Sequence, residues 1–447
     1  MAERLVVVGG DAGGMAAAAQ ARRMRPDLTD LEIIGFERGG RTSFAACGIP
    51  YRVAGLVAEL DDLVARSPEE HRRRGIDIRV HHDVRAIDLD ERTVEVVDLA
   101  SGRILVEPFD QLLIGTGARP IRPDLPGIES EFVHGVQNLD DAEDLLAHAE
   151  DAGCRRVVVV GGGYIGLEMA EAFLMWGAHV TVVEAAGEVM RTLDCDMGAL
   201  VRQAMQNHGI DVRTGVTVEG FEPGRVLTDH GPIDADLVVL GIGVQPNSEL
   251  ADEAGIKLGV RNSIVVDRRQ RTSAEGVWAA GDCCQSIHLV SQQPVHVALG
   301  TVANRQARVA GINIGGGYAS FPGVIGSAVT KLCATEIGRT GLTDAEAKAA
   351  AFDPVSAVIE SKTRAGYYPD AAPIHVKVVV ERGTGRVLGG QIVGGPGSAK
   401  RIDVIAVAIT SGMTADELAS TDLSYAPPFS PVWDPVLLAA REAAKLA

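Results

Sequence analysis

Cys47 is the residue of this sequence best suited to covalent chemistry. It lies in the segment TSFAACGIPY, ten residues after Glu37, which ends a predicted strand. The helical run predicted after Cys47 would place its thiol near a helix N-terminus, where the thiol pKa falls and the nucleophilic thiolate is favoured. The alternative is a small buried side chain, which is the usual role of a free cysteine. The segment therefore predicts a nucleophilic thiol, with simple packing as the alternative.

Two glycine-rich segments have the pattern of dinucleotide-binding turns. The segment RLVVVGGDAGGMAAA at residues 4–18 recurs as RVVVVGGGYIGLEMA at residues 156–170. Each predicts an apolar strand, a glycine turn and a helix, which together open a βαβ unit. Such a turn lets the backbone approach a pyrophosphate and directs the helix N-terminus at its charge. The candidate residues are Gly9, Gly10, Asp11, Ala12, Gly13 and Gly14 in the first copy, and Gly161, Gly163, Tyr164, Ile165 and Gly166 in the second.

An acidic residue ends the second strand of each unit and is a candidate ligand of the adenosine ribose. Glu37 and Glu184 lie 28 and 23 residues after the first glycine of their turns, close to the expected spacing of about 20 residues. Glu184 is followed by Ala185 and Ala186, and no adjacent arginine is present to bind a 2′-phosphate. The second site therefore predicts NADH, with NADPH as a possible substitute. Asp11 takes the second glycine position of the first turn, so its side chain should turn away from the pyrophosphate.

The remaining motifs predict an α/β fold in which two Rossmann-like domains are followed by a C-terminal α+β domain. QLLIGTGARP and DLVVLGIGVQPN are predicted crossings between domains, and VWAAGDC is a predicted strand ending at Gly281-Asp282. Later in the chain IHVKVVVE and VLGGQIVG predict an antiparallel hairpin, a helix stops at Gly412, and Thr414 with Glu417 forms a capping box. We expect a first nucleotide-binding domain at 1–118 and 245–322, a second at 119–244 and the α+β domain at 323–447.

The order of these motifs carries a family resemblance. From GGDAGG through SFAACGIPY, GTGARP, VVGGGYIGLE and VWAAGD to YAPPFSP, the whole chain resembles the single-cysteine pyridine nucleotide-disulfide oxidoreductases. It is most similar to the coenzyme A-disulfide reductases, with the NADH oxidases and NADH peroxidases as relatives. The resemblance implies FAD in the first Rossmann-like domain and NAD(P)H in the second. By the same resemblance Tyr164 is a movable ring over the flavin and Glu168 contacts the nicotinamide. Further FAD contacts are assigned to Arg38, Thr116, Gly117, Gly281 and Asp282.

The resemblance also implies a mechanism with one cysteine. Hydride passes from NAD(P)H to the flavin, and electrons then reach Cys47, which is held as a mixed disulfide with the substrate thiol. In the family, two tyrosines from the partner subunit of a homodimer assist departure of the thiol, and here they match Tyr425 and Tyr367. Because neighbours on a strand face opposite ways, only one of Tyr367 and Tyr368 is expected to point into the site. Ordinary interface packing is the alternative role for these tyrosines.

Several positions bear on the identity of the substrate. Ala12 stands where the oxidase and peroxidase relatives carry a histidine, which weakens a reaction with oxygen or peroxide. Ala46 and Trp433 stand where the coenzyme A enzymes usually carry asparagine and lysine. The resemblance therefore implies an FAD-dependent NAD(P)H oxidoreductase that reduces coenzyme A disulfide or a related low-molecular-weight disulfide or persulfide. Gln20, Arg23 and Ser43 match the family's contacts with coenzyme A, and Arg22 adds positive charge beside them as a further candidate for substrate binding. The two arginines could bind a nucleotide phosphate, with a solvated helix end as the alternative.

Two other functions remain open at this point. One is an NADH oxidase that reduces oxygen through a sulfenic acid at Cys47. The other, of a different class, is a redox-sensing or electron-transfer flavoprotein that engages a protein partner. A protein of the second kind would not need the sequence context of Cys47, so substitution of that cysteine would leave its function intact.

Composition and charge exclude several further classes. The 447 residues carry a net charge of −18, which repels nucleic acid and anionic membranes. No window of 18 residues is continuously apolar, so no membrane-spanning helix is expected. The six cysteines form no C-x-x-C pair and no export signal is evident, which predicts a cytoplasmic protein with reduced thiols. His81, His82 and Asp83 are neighbours on a predicted strand and diverge, so no metal site is expected.

Overall fold

Residues 3–120 form the first α/β unit of the computed structural model, which describes residues 2–447. Strands β3, β2, β1 and β7 of this unit lie side by side and parallel, while β4, β5 and β6 form a separate antiparallel sheet. The elements are β1 (Glu3–Val8), α1 (Ala12–Met24), β2 (Leu31–Phe36), α2 (Ile49–Val53), α3 (Pro68–Arg73), β3 (Asp77–Arg79), β4 (His82–Asp88), β5 (Thr93–Asp98), β6 (Ile104–Pro108), β7 (Gln111–Ile114) and β8 (Ala118–Pro120).

The first glycine turn joins β1 to α1, as the sequence predicts. Gly9 has a φ of 107°, and a Cβ added there would lie 2.2 Å from the carbonyl oxygen of Gly115. A Cβ added at Gly14 would lie 1.9 Å from the carbonyl oxygen of Gly9. Both positions therefore require glycine, the first for the turn and the second for close packing of α1 against it.

The second unit repeats this plan. Its parallel sheet has the order β12-β11-β10-β16-β9, and β13, β14 and β15 form a small sheet beside it. Strand β17 pairs antiparallel with β8, so the two predicted crossing segments lie side by side. The elements are β9 (Val133–His134), α4 (Leu139–Ala152), β10 (Arg156–Val160), α5 (Tyr164–Met175), β11 (His179–Glu184), α6 (Cys195–Asn207), β12 (Asp211–Thr214), β13 (Val218–Glu222), β14 (Arg225–Thr228), β15 (Ile233–Asp234), β16 (Leu237–Leu240) and β17 (Val244–Pro246).

The chain then returns to the first unit. Strand β18 pairs parallel with β7 and completes the sheet order β18-β7-β1-β2-β3, and α8 packs against α1. This return supports a first domain that is interrupted by the second. The divisions at 118/119, 244/245 and 322/323 stay a proposal, and the first two fall within the paired strands β8 and β17. The elements of this segment are α7 (Glu249–Glu253), β18 (Val277–Ala279), β19 (Ser286–Ile287), β20 (Pro294–Val295) and α8 (Gly300–Ile314).

The C-terminal unit is an α+β arrangement built on an antiparallel sheet of order β21-β22-β25-β24-β23. The predicted hairpin is β24 with β25, α10 ends at Gly412 in the left-handed conformation, and Thr414 caps α11 with Glu417. All three predictions are confirmed. The elements are β21 (Ala328–Leu332), β22 (Thr335–Gly341), α9 (Asp344–Ala349), β23 (Pro354–Lys362), β24 (Pro373–Glu381), β25 (Val387–Gly394), α10 (Ile402–Ser411), α11 (Ala415–Ala419) and α12 (Pro435–Ala444).

The helices of the structure are short. The helix α8 has 15 residues and α4 has 14, whereas a bilayer is crossed by about 20 predominantly apolar residues. Within residues 2–447, no helix combines the length and the apolar character needed to cross a membrane.

Candidate active site

A cavity of about 1750 Å³ is lined by both glycine turns. The segment around Cys47, the residues that follow β7 and β16, and the start of β21 also contribute to its wall. Pockets for one drug-sized ligand usually measure roughly 300–1,000 Å³. The cavity therefore has room for more than one extended ligand, with the Cys47 thiol at its wall.

Glu37 closes the first glycine turn from the neighbouring strand. Its carboxylate accepts hydrogen bonds from the backbone N–H groups of Gly10 at 2.6 Å and Gly39 at 2.7 Å. A carboxylate has about four lone-pair sites, so acceptor capacity remains for the two hydroxyls of a ribose. The backbone therefore already holds the carboxylate of Glu37, the residue that the sequence spacing predicts as a ribose ligand.

Glu184 closes the second turn in the same way. Its carboxylate accepts from the backbone N–H groups of Gly162 at 2.9 Å and Ala186 at 2.8 Å. A Cβ added at Gly163 would meet just the carbonyl oxygen of Gly241, at 3.9 Å, so this glycine faces open space. The two copies of the sequence repeat therefore also share the hydrogen-bond pattern that holds Glu37 and Glu184.

Asp11 departs from the second copy, and the structure shows where its side chain goes. Its Oδ1 accepts a hydrogen bond from the backbone N–H of Phe44 at 3.1 Å, which directs the carboxyl towards the Cys47 segment. The side chain thus turns away from the glycine turn, as expected. Burial raises its pKa to about 7, against the lowering effect of the Phe44 N–H, and Glu37 and Asp282 add smaller increases.

Asp282 provides the test of whether the first site fits FAD. It follows β18 at the carboxyl edge of the sheet, where ligands bind in such folds. Burial raises its pKa to about 6, and its Oδ1 has no hydrogen-bond partner among residues 2–447. Buried polar atoms in proteins are normally hydrogen-bonded, so this unpartnered oxygen suits a ligand that donates a hydrogen bond. The hydroxyls of a ribityl chain are such donors. Together with the glycine turn and Glu37, this orphaned oxygen fits FAD.

Cys47 lies in the 3₁₀ turn Ala46–Gly48, directly before α2, and its side chain is exposed at the cavity wall. Partial burial raises its pKa, and the negative charges of Glu168 and Asp282 raise it further. The sequence predicts a lowered pKa for this thiol, and that prediction is wrong, because the surrounding protein groups raise the pKa. The helix that follows spans only five residues, so its dipole is weak, while burial and the nearby carboxylates both favour the neutral thiol.

Tyr164 and Glu168 stand one helical turn apart at the start of α5 and line the cavity with Cys47. The Tyr164 hydroxyl accepts a hydrogen bond from the Thr192 hydroxyl at 3.4 Å, and Thr330 donates to Glu168 at 2.8 Å. Burial raises the pKa of both side chains. The residues assigned to the flavin and nicotinamide thus share one wall.

The structure brings most of the predicted nucleotide-binding residues to the cavity. Those that do not line it are glycines needed for packing: a Cβ at Gly13 would lie 2.6 Å from the carbonyl oxygen of Ala280, and Gly281 has a φ of 93°. Gly14 and Gly166 act similarly, beneath their turns. The predicted residues at the cavity wall are Gly9, Gly10, Asp11, Ala12, Glu37, Arg38, Cys47, Thr116, Gly117, Gly161, Gly163, Tyr164, Ile165, Glu168, Glu184 and Asp282.

The residues predicted to bind coenzyme A do not act as one group. The Arg22 guanidinium is buried and donates to the carbonyl oxygens of Leu31 at 2.6 Å and Gly75 at 2.9 Å. Because this guanidinium ties α1 to β2 and the loop before β3, the prediction that Arg22 contacts substrate is corrected to a structural role. Arg23 and Gln20 hydrogen-bond to each other at 2.7 Å on the exposed end of α1.

Ser43 has a partner that sequence reasoning missed. Its Oγ lies 2.9 Å from Nε2 of His71, which is fully buried on α3 and whose Nδ1 has no partner among residues 2–447. Burial, with Arg66 and Arg74, lowers the pKa of His71 to about 4, so its ring is neutral near pH 7. The sequence gives no spacing signal for this pair, since the two residues are 28 positions apart and meet through tertiary packing.

The two candidate tyrosines lie together on the C-terminal unit. Tyr367 is 79% exposed and Tyr425 is 47% exposed. Desolvation and the neighbouring Tyr367 side chain raise the pKa of Tyr425. Tyr367 and Tyr368 belong to a turn after β23. The assumption that these two tyrosines are neighbours on a strand was therefore wrong. Neither tyrosine lines the cavity of its own chain.

Known proteins share this arrangement along the whole chain. The family model described as pyridine nucleotide-disulphide oxidoreductase matches residues 3–307, and that of its dimerisation domain matches residues 327–435. The chain is 38% identical over 450 residues to the NAD(P)H coenzyme A polysulfide/persulfide reductase of Pyrococcus horikoshii, covering 99% of this chain and 98% of that protein. It is 36% identical over 448 residues to the NADH oxidase of Methanocaldococcus jannaschii, covering 99% of each.

A solved structure gives the same result. The NAD-dependent persulfide reductase from A. fulgidus superposes with a TM-score of 0.95 and 40% sequence identity, over 98% of this chain and 83% of that one. The resemblance inferred from the motifs is thereby confirmed, as is the α/β fold with a C-terminal dimerisation domain. This chain belongs to the pyridine nucleotide-disulphide oxidoreductases, a family of flavoproteins that use FAD and NAD(P)H.

Proposed function

We propose that the protein uses NADH, through FAD, to reduce a disulfide or persulfide of coenzyme A or of a similar anionic thiol, with Cys47 as its single redox-active sulfur. The observation that carries this proposal is the placement of Cys47. Its thiol is exposed in a cavity lined by both nucleotide-binding turns, and no other cysteine among residues 2–447 lines that cavity. A second protein thiol is thus unavailable as the partner of Cys47, and a substrate sulfur takes that place.

The chemistry at Cys47 is a thiol–disulfide exchange. The Cys47 thiolate attacks one sulfur of the substrate, a bond forms between the two sulfurs, the substrate S–S bond breaks, and the released thiolate takes up a proton. When bound, FAD accepts hydride from NAD(P)H and supplies the electron pair that cleaves the mixed disulfide. Cys47 then returns to the thiolate as the second substrate thiol departs.

NADH is the proposed reductant because of Glu184. Both of its oxygens are held by backbone N–H groups, and their remaining lone pairs suit the ribose hydroxyls. A 2′-phosphate at the same place would meet a negative charge, so NADPH is the less favoured alternative.

The six cysteines are all free thiols, which supports a reducing compartment and hence our proposal of a cytoplasmic enzyme.

The surroundings of Ser43 support an anionic substrate. Backbone pairing of Ala65 N–H with the Ser43 carbonyl oxygen, at 2.8 Å, sets Arg66 beside this serine. Arg66 and Arg74 both lower the pKa of His71, the hydrogen-bond partner of Ser43. A chain with a net charge of −18 binds an anion through such a local basic region, and the phosphates of coenzyme A are anions of that kind.

We expect the double variant Arg66→Gln/Arg74→Gln to raise KM for coenzyme A disulfide about tenfold, because charge-assisted contacts to phosphate are lost. KM for NADH should stay unchanged, since these arginines belong to the first unit and Glu184 to the second. The control is Arg103→Gln/Arg155→Gln, which changes the net charge equally at exposed positions that do not act on His71. Equal effects of the two double variants, or no effect of the first, would contradict an anion site at Ser43.

We propose a homodimer in which Tyr367 and Tyr425 reach the Cys47 site of the partner. The turn that carries Tyr367 lies against the proline-rich segment, because Ala365 N–H donates to the Pro427 carbonyl oxygen at 3.1 Å. Phe429, Val432 and Trp433 are all more than half exposed on the same segment, and a cluster of exposed apolar side chains of this kind usually marks an interface. The match to the dimerisation-domain family supports the same assembly.

The identity of the substrate thiol is tested by intact mass spectrometry of the purified protein before and after dithiothreitol. We expect an adduct on Cys47 that dithiothreitol releases and whose mass equals that of the bound thiol. Steady-state assays complete the test, because rapid NADH-dependent loss of oxygen without any disulfide would favour the oxidase alternative. Turnover by a protein without Cys47 would favour the electron-transfer alternative.

A further inference from the structure

Glu168 obtains its side-chain hydrogen bond from the C-terminal unit. It lies on α5, at the wall of the cavity that also holds Cys47. Thr330 on β21 is 7% exposed and donates its hydroxyl to Oε1 of Glu168 at 2.8 Å. Among residues 2–447 this is the sole hydrogen bond to the Glu168 carboxylate. The orientation of an acid on the NAD-binding helix is therefore set by a strand 162 positions later in the chain.

A second contact docks the same strand on the same helix. Lys331 Nζ lies 2.6 Å from Oε1 of Glu171, so β21 and α5 are joined by an ion pair as well as by the hydroxyl. Apolar packing of α5 in the main core also holds the helix in place. Loss of the Thr330 hydroxyl alone would thus leave β21 docked and free the Glu168 carboxylate to rotate.

The hydroxyl also acts on the ionisation of Glu168. Burial raises the pKa of this carboxyl, the hydrogen bond from Thr330 lowers it, Glu171 raises it and Lys331 lowers it. A carboxylate that accepts a hydrogen bond is stabilised in its ionised form, which is the form that can accept a further bond from a ligand. Three other titratable groups act on or respond to this carboxyl: Cys47, Tyr51 and Tyr164.

We propose that Thr330 is a positioning residue for the nicotinamide site: it holds Oε1 of Glu168 and leaves Oε2 to accept the carboxamide N–H of NAD(H). The inference rests on the proposed function and on the family resemblance that assigns Glu168 to the nicotinamide. It adds to that function a role for the C-terminal unit of the same chain in binding the nucleotide. A carboxylate already held in one rotamer loses less side-chain entropy when it binds.

Thr330→Val removes the hydroxyl and keeps the shape of the side chain. In the FAD-loaded protein we expect the Kd for NAD⁺, which cannot reduce the flavin, to rise about tenfold in a flavin-fluorescence titration. Thr330→Ser should restore the Kd to within about twofold. The loss of the donor raises the pKa of Glu168, so the acidic limb of the pH profile for flavin reduction by NADH should move to higher pH.

Thr228→Val is the matched control. Thr228 is also buried and its hydroxyl donates to the Gly231 carbonyl oxygen at 2.6 Å, outside the cavity lining. This variant should keep the wild-type Kd and pH profile. An unchanged Kd and an unshifted pH profile in Thr330→Val, or failure of Thr330→Ser to restore binding, would overturn the proposal. The outcome is separate from the test of disulfide reduction, because NAD⁺ binding does not require Cys47.

Discussion

Replacing Cys47 with serine is expected to abolish reduction of coenzyme A disulfide while the flavin is still reduced by NADH. A serine hydroxyl at neutral pH is protonated and cannot form the mixed disulfide, so the loss should be at least about 1,000-fold in kcat/KM. Flavin reduction should proceed at a rate close to that of the unaltered protein, because Glu168 and the second glycine turn remain. Anaerobic stopped-flow absorbance separates these two half-reactions.

Cys195→Ser is the matched control for this experiment. Cys195 is exposed at the start of α6 and does not line the cavity, so its substitution should leave both half-reactions unchanged. If Cys47→Ser kept its disulfide reductase activity, the single-cysteine mechanism would be wrong. Retention of electron transfer to a protein acceptor in that variant would then support a carrier function.

Replacing Asp282 with leucine is expected to yield protein that holds less than about a tenth of the FAD under purification conditions. Asp282 lines the cavity, and its buried Oδ1 has no hydrogen-bond partner among residues 2–447. Loss of hydrogen bonds to a charged group weakens binding by about 10- to 100-fold. The apoprotein should be as stable as the unaltered apoprotein or more so, because a buried carboxyl with a raised pKa destabilises the fold when it is ionised. FAD content by absorbance and the Tm of each apoprotein measure the two effects.

The pH dependence gives the same experiment a second readout. An acid whose pKa is about 6 in the folded state and 3.8 otherwise costs stability above about pH 6, and this cost disappears as the pH falls below about 4. The leucine variant lacks this cost, so its greater stability relative to the unaltered apoprotein should shrink as the pH falls from about 6 to about 4. Asp282→Asn keeps the Oδ1 acceptor and should retain much more FAD. A leucine variant with full FAD would remove Asp282 from the site.

Much of the fold was predictable because its signals are local. The two glycine turns, the strands before them and the acids after them occur within stretches of about 30 residues. Gly9 and Gly14 permit the first turn, because neither position has room for a Cβ. The C-terminal hairpin and the cap at Thr414 are local patterns of the same kind. Such features depend on backbone geometry and hydrophobic periodicity, which neighbouring residues determine.

The errors concern side chains whose environment comes from distant segments. Arg22 has the spacing of a phosphate ligand, but carbonyl groups of β2 and the loop before β3 take its donors. The pKa of Cys47 is raised by burial and by the charges of Glu168 and Asp282, which come from two other parts of the chain. No local pattern in the sequence reports these contacts.

The amino-acid sequence by itself determined that this protein has two dinucleotide-binding turns, one candidate redox cysteine and the family to which it belongs. The tertiary structure alone decided what surrounds each reactive group: His71 beside Ser43, Thr330 against Glu168, and a buried Asp282 oxygen that has no partner among residues 2–447. The physical reason is range, because turns and strands form from interactions within a few residues. Hydrogen bonds and charges at a site act across a few ångströms between residues that are up to 162 positions apart.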